Sequence, residues 1–492
     1  MSHSKSLCVL VLGDVGRSPR MQYHAYSLAE QFPQYRVQLV GHGGTPCFPV
    51  VQDHNRIDQL LFTPFTQQLN QKQSKLQLYV NAAYKFILQL VQLMYILLVK
   101  MRRPELILLQ TPPAIPTLLA VYIVSIILNC TVIVDWHNLA YTLLQNKLTS
   151  HNNSQQPKSI LIRISELYER CIGYLLCSNN ESLCVTNAMR LYLKRWAGIH
   201  AVTLYDSPPD HFHSLNVEQQ HALWLRLQSD YAIMPTDELF NWAQLHRTNN
   251  NTLFTEVDIN GNIIKRSNRV ASIISSTSWT ADEDFTVLSA ALMEYDAASQ
   301  QPNNQLPKLL CIITGKGPLK NAFVQSIKSM NLVNVRIITM FVSSSDYPLI
   351  LASVDIGISL HQSSSGLDLP MKVVDMYGSG LPVCAVKFDC IAELIDDGET
   401  GLLFNDSNQL SQQLQSLLYQ YPTNTQQIDQ FRDNVQHKHG QGKRWQYNWS
   451  TVALPLVNEA LQRNQINQTC RLQQIIALLS LLAVCIAVLV FS

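Results

Sequence analysis

Residues Ser363–Val383 read SSSGLDLPMKVVDMYGSGLPV and follow directly on the apolar run Val354–Leu360. A short apolar run bounded by turn residues reads as a buried strand. The loop after it holds serines and a glycine and almost nothing that could pack. Pro370 suits the first turn of a helix, and Gly378 ends it. The free N–H groups of that helix start, with Ser365 and Gly366 before them, form an anion site, and Lys372 adds a cation. Asp375 lies about one and a half turns inside, within reach of a sugar hydroxyl. The plainer reading has Asp368 capping the helix and Lys372 paired with Asp375.

Outward from this stretch the chain repeats the same strand-then-helix order in two sets. Strand-like runs fall at Leu7–Leu12, Val37–Val40, Leu106–Leu109, Val132–Val134, Leu183–Val185 and Val202–Leu204. They recur at Val270–Ile274, Leu309–Ile313, Val335–Ile338, Asp355–Leu360 and Val383–Val386. Helical patterns separate them, among them Met21–Gln31, Ile115–Leu128, Ala188–Trp196, Ala281–Tyr295, Asp346–Ala352, Pro370–Tyr377 and Gln409–Tyr419. Such alternation predicts an α/β protein of two Rossmann-like, doubly wound domains facing across a cleft. The expected division is 1–206 and 270–460, joined by a polar connecting region, 207–269. Within that region HRTNNNTLFTEVDINGN reads as a surface loop.

The 492 residues suffice for two domains. A net charge of +1, from 36 basic and 35 acidic residues, removes the electrostatic case for a nucleic-acid partner. The 11 cysteines lie mostly inside apolar runs with no CxxC pair, which reads as reduced, buried thiols in a cytosol-facing protein. Ile475–Phe491 is uncharged, and at about 1.5 Å per residue the stretch 472–492 reaches roughly 30 Å, enough to cross a bilayer core. It is expected to be a transmembrane tail anchor, with Arg471 and everything before it on the cytosolic side. Leu78–Lys100 is apolar but sets Lys85, Gln89 and Gln92 at helical spacing. It therefore lies on a membrane surface or packs on the sheet. Ile115–Leu128 leads straight into a strand and reads as a buried crossover helix.

Ligands of open parallel sheets sit at the carboxyl ends of the strands. In GDVGRSPRMQYHA, Gly13 and Gly16 let backbone approach a ligand, and Arg17 and Arg20 supply charge for a phosphate or acceptor. The absent GxGxxG speaks against a dinucleotide oxidoreductase. In VDWHN, Asp135 and His137 alternate on one face at a strand end, either as a general-base pair or as a structural Asp–His bond. In SSTSWTADEDF the hydroxyls of Ser276 and Thr277 point at the cleft. Thr280 and Glu283 fit a capping box there, so the acids at 282–284 need only a helix-starting role. In TGKGP, Gly315 and Gly317 flank Lys316, a spacing that suits a phosphate or base contact.

Taken together, LGDVGRSPRMQYHA, VDWHN, LCVTNAMR, SSTSWTADEDF, ITGKGPL, HQSSSGLDLPMKVVDM and LPVCAV closely resemble the chitobiosyldiphosphodolichol beta-mannosyltransferases, from about Leu7 to about Leu456. The resemblance implies a GT-B glycosyltransferase fold and transfer of mannose from GDP-mannose to GlcNAc-GlcNAc-diphosphodolichol, forming a beta-1,4 bond. It implies the endoplasmic reticulum membrane, with the catalytic domains on the cytosolic face, and other mannosyltransferases of the same pathway as partners. Three departures stand out. Family members carry an N-terminal anchor, whereas this chain is expected to anchor at its C-terminus. The wider superfamily often has two glutamates eight apart before a Gly-x-Pro-Val turn. Here Asp375 takes the second place, Leu367 the first, and Asp368 is one residue off. The Arg and Lys usual after the first strand of the second domain are missing, which shifts the diphosphate charge onto Lys372, Lys316 and the helix.

An alpha-linked donor and a beta product mean inversion by one in-line displacement, with a base to take the acceptor proton. His137 or Asp135 is the candidate base, with Asp14 behind them. No cluster of acids marks a bound metal, no cofactor is tightly held, and any Mg²⁺ is a loose accessory. Two alternatives compete: a GT-B transferase with a different lipid-linked acceptor, and a tail-anchored scaffold pseudoenzyme.

Overall fold

The computed structural model describes residues 5–63, 75–149, 160–178, 182–230, 235–280, 283–363, 365–440 and 442–466. The chain forms two compact units. One comprises the residues up to Tyr205 with the chain from Asn448; the other is Asp206–Tyr447.

The first unit runs β1 (Ser6–Asp14), α1 (Pro19–Gln31), β2 (Arg36–His42), α2 (Pro49–Gln52), β3 (Ile57–Phe62), α3 (Lys75–Tyr95), β4 (Leu106–Thr111), α4 (Thr117–Leu128), β5 (Thr131–Trp136), α5 (Ala140–Thr149), α6 (Ile160–Cys177), β6 (Ser182–Cys184), α7 (Asn187–Ala197) and β7 (Ala201–Thr203). Its sheet is parallel throughout, in the order β3-β2-β1-β4-β5-β6-β7. Leu7–Val11 and Leu106–Leu109 are buried without a break, because helices cover both faces of a parallel sheet and leave no side for polar alternation. β3 was not foreseen; its run IDQLLF carries two polar residues at its start.

The second unit runs α8 (Val217–Ser229), α9 (Thr236–Ala243), β8 (Thr255–Val257), β9 (Ile263–Lys265), β10 (Ala271–Ser276), α10 (Phe285–Ser299), β11 (Leu309–Thr314), α11 (Lys320–Lys328), β12 (Val335–Met340), α12 (Tyr347–Leu351), β13 (Ile356–Ser359), α13 (Met371–Gly378), β14 (Val383–Val386), β15 (Gly401–Phe404), α14 (Ser407–Leu417) and α15 (Gln426–His439). Its parallel sheet is ordered β12-β11-β10-β13-β14-β15, and β8 and β9 make a separate antiparallel pair. Alternate strand residues feed two cores, as a period of two requires. Ile274, Leu310 and Ile312 join one; Ile273, Cys311 and Ile313 join the other.

The expected polar connector 207–269 is corrected by this structure. α8, α9 and the β8–β9 hairpin occupy it, and Leu223, Trp224, Phe240 and Phe254 enter the core of the second unit. The supposed surface loop contains buried Leu253 and Phe254, and Trp224 packs on Phe254 with ring centroids 4.7 Å apart. The expected second domain also ran too far. The last helix, α16 (Trp445–Ile466), belongs from Asn448 onward to the first unit. There Thr131 Oγ1 donates to the Ala460 carbonyl at 3.1 Å. The expected anchor at 472–492 lies outside the described residues.

α4 is the buried crossover that the sequence suggests, ending at Asn129 in the left-handed region with φ +50°. α3 continues through a π turn at Ile96–Lys100. Ala83–Lys100 is long and apolar enough to cross a membrane by length and composition alone, and little of it is buried.

Candidate active site

Each parallel sheet reverses its strand order once. In the second unit this happens at β10, whose neighbours are β11 and β13. Ligands of such sheets bind at the carboxyl ends around that reversal. The loops there are 277–283 after β10, 315–319 after β11, and 360–370 after β13.

Glu283 ties these loops together. Its side chain is 2% exposed. One carboxylate oxygen accepts from Thr277 Oγ1 at 2.5 Å and from the Ser278 N–H at 3.1 Å. The other accepts from Lys372 Nζ at 2.5 Å. Charge-assisted bonds of this length are the strong kind. Glu283 is therefore not a capping residue, which corrects the sequence reading. α10 starts at Phe285, and the cap is Asp284, which accepts from the Thr286 N–H at 2.9 Å. Lys372 likewise pairs with Glu283 rather than with Asp375. Pro370 is the N-cap of α13 and makes no side-chain capping bond; the Val373 N–H already donates to the Pro370 carbonyl at 3.0 Å, which leaves the Met371 and Lys372 N–H groups at the helix start beside the Lys372 ammonium.

Ser276 and Thr277 do reach this place, but their hydroxyls already have partners. Tyr347 donates to Ser276 Oγ at 3.0 Å, and Thr277 Oγ1 donates to Glu283. Gly315 serves packing. A Cβ on it would stand 1.8 Å from the Thr277 carbonyl oxygen, and its φ is +147°. The neighbouring Gly317 would put a Cβ 1.9 Å from the Ser278 carbonyl oxygen. The glycines of TGKGP thus let the β11 loop press against the β10 loop. Lys316 is exposed, and its ammonium sits 3.6 Å from the centre of the Phe341 ring, a cation–π contact.

Asp368 does not cap α13 either. It draws its own loop together, accepting from Ser363 Oγ and, at 3.3 Å, from Ser365 Oγ, with His361 Nε2 at 3.7 Å. Gly366, at φ +71°, turns the chain between them. Asp375 is half-buried. Desolvation first, then the nearby Asp206, pushes its carboxyl up to about 8 against the pull of Lys372. A neutral carboxyl can donate as well as accept a hydrogen bond.

In the first unit the reversal falls between β1 and β4. Asp135 and Arg20 are found elsewhere than the sequence placed them functionally. Arg20 is 2% exposed and Asp135 fully buried. Arg20 Nε and Nη2 donate to the two Asp135 oxygens at 2.6 and 2.9 Å, and Arg20 Nη1 donates to the Leu204 carbonyl at 3.0 Å. Trp449 Nε1 can only donate, and it lies 3.0 Å from His24 Nδ1. His24 therefore carries its proton on Nε2 and donates it to Asp135 at 3.2 Å. Although burial raises a carboxyl pKa, Arg20 and His24 hold Asp135 far below the usual range. A carboxylate so deeply committed cannot collect an acceptor proton, and Arg20 has no charge left for a phosphate.

His137 follows the end of β5 and is half-buried; its N–H donates to the Thr111 carbonyl at 2.9 Å. Gly13 and Asp14 end β1. Asp14 accepts from Thr45 Oγ1 at 2.8 Å and from the N–H groups of Thr45 and Gly16 at 3.1 Å each. Desolvation opposes ionisation there, but these bonds and Arg17 lower its pKa. Gly16 is packed, because a Cβ on it would stand 2.2 Å from the Thr45 carbonyl oxygen. Arg17 is exposed.

Two parallel-sheet units, with a cation at a helix start beside the strand reversal of the second, define a GT-B glycosyltransferase. The glycosyl transferases group 1 family matches residues 288–420. Among solved structures, Anabaena HepE in complex with UDP and glucose superposes with a TM-score of 0.57 at 15% identity, over 93% of this chain and all of that one. The chitobiosyldiphosphodolichol beta-mannosyltransferase of Mus musculus is 37% identical, over 92% of this chain and 89% of its own. The UDP-glycosyltransferase TURAN of Arabidopsis thaliana is 39% identical, over 93% of this chain and 98% of its own. The chain belongs to the chitobiosyldiphosphodolichol beta-mannosyltransferase family.

Proposed function

We propose that this enzyme transfers mannose from GDP-mannose to a dolichol-linked chitobiosyl diphosphate, with inversion to a beta-1,4 linkage, on the cytosolic face of the endoplasmic reticulum. The observation that carries the reading is the 37% identity with a named mannosyltransferase over nine tenths of both chains. In this reading the second unit holds the nucleotide. The first turn of α13 and Lys372 take the diphosphate, and Glu283 keeps Lys372 in place. Asp375, neutral near pH 7, offers a hydrogen bond to a sugar hydroxyl. The acceptor 4-hydroxyl attacks the mannose anomeric carbon, the bond to GDP breaks, and His137 takes the hydroxyl proton. Asp14 is less suited to that task, since its oxygens already accept several bonds.

One test decides the donor and product together. The full chain is given GDP-mannose or a UDP-sugar with a chitobiosyl-diphospholipid, and the product is digested with a beta-mannosidase. Transfer from GDP-mannose alone to a beta-mannosidase-sensitive product is expected. The Arabidopsis relative carries UDP in its name, so transfer from a UDP-sugar instead would overturn the donor assignment.

A further inference from the structure

The first unit shows an apolar surface to which the mechanism above assigns no role. α3, α4 and α6 are connections that all move the chain the same way across the sheet, so right-handed crossover puts them on one face. α4 packs against both α3 and α6. On α3 and its π turn, Tyr84, Ile87, Val91, Tyr95 and Val99 recur every three or four residues, each 50–64% exposed. On α6, Ile160, Ile164 and Leu167 do the same, with Tyr174 two turns further on the same side, each 46–62% exposed. Ile127, at the end of α4 between them, is 57% exposed. Soluble surfaces rarely align this many apolar side chains.

Positive charge outweighs negative around these stripes. Residues 59–104 contain no Asp or Glu but include Lys85, Lys100, Arg102 and Arg103, of which Arg102 also pairs with Asp58 at 3.8 Å, and α6 exposes Arg163 and Arg170 against the half-buried Glu166. We propose that this face lies in the headgroup region of an anionic phospholipid bilayer, with the two helices in its plane and the cations at its rim. A second copy is the poorer occupant, since a two-fold pairing would set the same cations against themselves. The proposal stands whichever sugar donor the enzyme uses.

The test reconstitutes the full chain in nanodiscs holding phosphatidylcholine, phosphatidylserine and a phospholipid with a photoactivatable acyl chain. Adducts are mapped by mass spectrometry. Adducts are expected in peptides covering 83–100 and 160–177. The exposed triple variant Ile87→Glu/Val91→Glu/Leu167→Glu should lower them tenfold or more, with transfer to a water-soluble acceptor unchanged. Omitting phosphatidylserine should lower them several-fold. Adducts confined to the chain beyond residue 466, or yields on both helices that the triple variant leaves unchanged, overturn the proposal. So do copy-to-copy cross-links through these helices without lipid adducts.

Discussion

Asp135→Asn separates a catalytic carboxylate from a structural one. The substitution is nearly isosteric, so packing survives, but it removes the charge that faces Arg20. Arg20 and Asp135 are each no more than 2% exposed, so the guanidinium would be left buried without a counter-ion. One Asp135 oxygen accepts from Arg20 and the other from both Arg20 and His24. An amide keeps only one acceptor, and its NH₂ must face a donor. Removing one partner of a buried pair costs about 3–5 kcal/mol. For a unit of this size each kcal/mol moves Tm by about 2–4 °C, so a fall of about 6–20 °C is expected. Differential scanning calorimetry on parent and variant reads it directly. Because the folded pKa lies below the unfolded one, the ionised pair contributes in full above about pH 4, and its share is lost as pH falls further. The gap between parent and variant should thus hold from pH 8 to 5 and narrow below. A variant with Tm within about 2 °C of the parent and turnover lost by decades would refute the structural assignment and restore Asp135 as the base.

Lys372→Ala should weaken GDP binding by about 10–100-fold in calorimetric titration, the worth of one charge-assisted contact. It should also destabilise the second unit, since Glu283 is left buried and charged; Lys372→Met/Glu283→Gln should recover Tm but not GDP affinity, and recovery of both would remove Lys372 from the donor site. Asp375 has a raised pKa, so its contribution to stability is lost as pH rises towards about 8. Asp375→Asn should therefore raise Tm more at pH 9 than at pH 5, and a pH-independent effect would contradict a buried, neutral carboxyl. His137→Ala should lower turnover by about two decades or more with GDP affinity unchanged, in line with a general base. Equal turnover would send the search for the base to Asp14.

The long strands were legible because parallel sheets bury both faces and leave unbroken apolar runs such as Leu7–Leu12. β15 (GLLF) escaped notice because it is four residues long and begins with glycine. Residues 207–269 read as a polar connector because exposed Asn and Gln such as Asn241, Gln244, Asn249 and Asn262 dominate the pattern, while single aromatics such as Trp224 and Phe240, with buried Thr252 and Thr255, carry the burial. Glu283 looked like an ordinary first-turn acid; only the approach of Lys372, 89 residues away in sequence, reveals its role. Asp135 and His137 stand two residues apart, but β5 ends at Trp136 between them. That pattern could not show that Arg20, 115 residues earlier, takes both carboxylate oxygens. Contacts that decide chemistry here are long-range and leave no local spacing to read.

The second unit is an insertion: the first begins at the N-terminus, stops at Tyr205 and resumes at Asn448. Synthesis therefore makes the two units in an awkward order. At about 5–20 residues per second, residues 206–447 take roughly 10–50 s to emerge. Through that interval His24 waits for Trp449 and Thr131 for Ala460, while the second unit can already close its own sheet. A message cut short before codon 448 would thus yield a finished second unit attached to an unfinished first one. Such a product would present a vacant helix seat to chaperones and proteases.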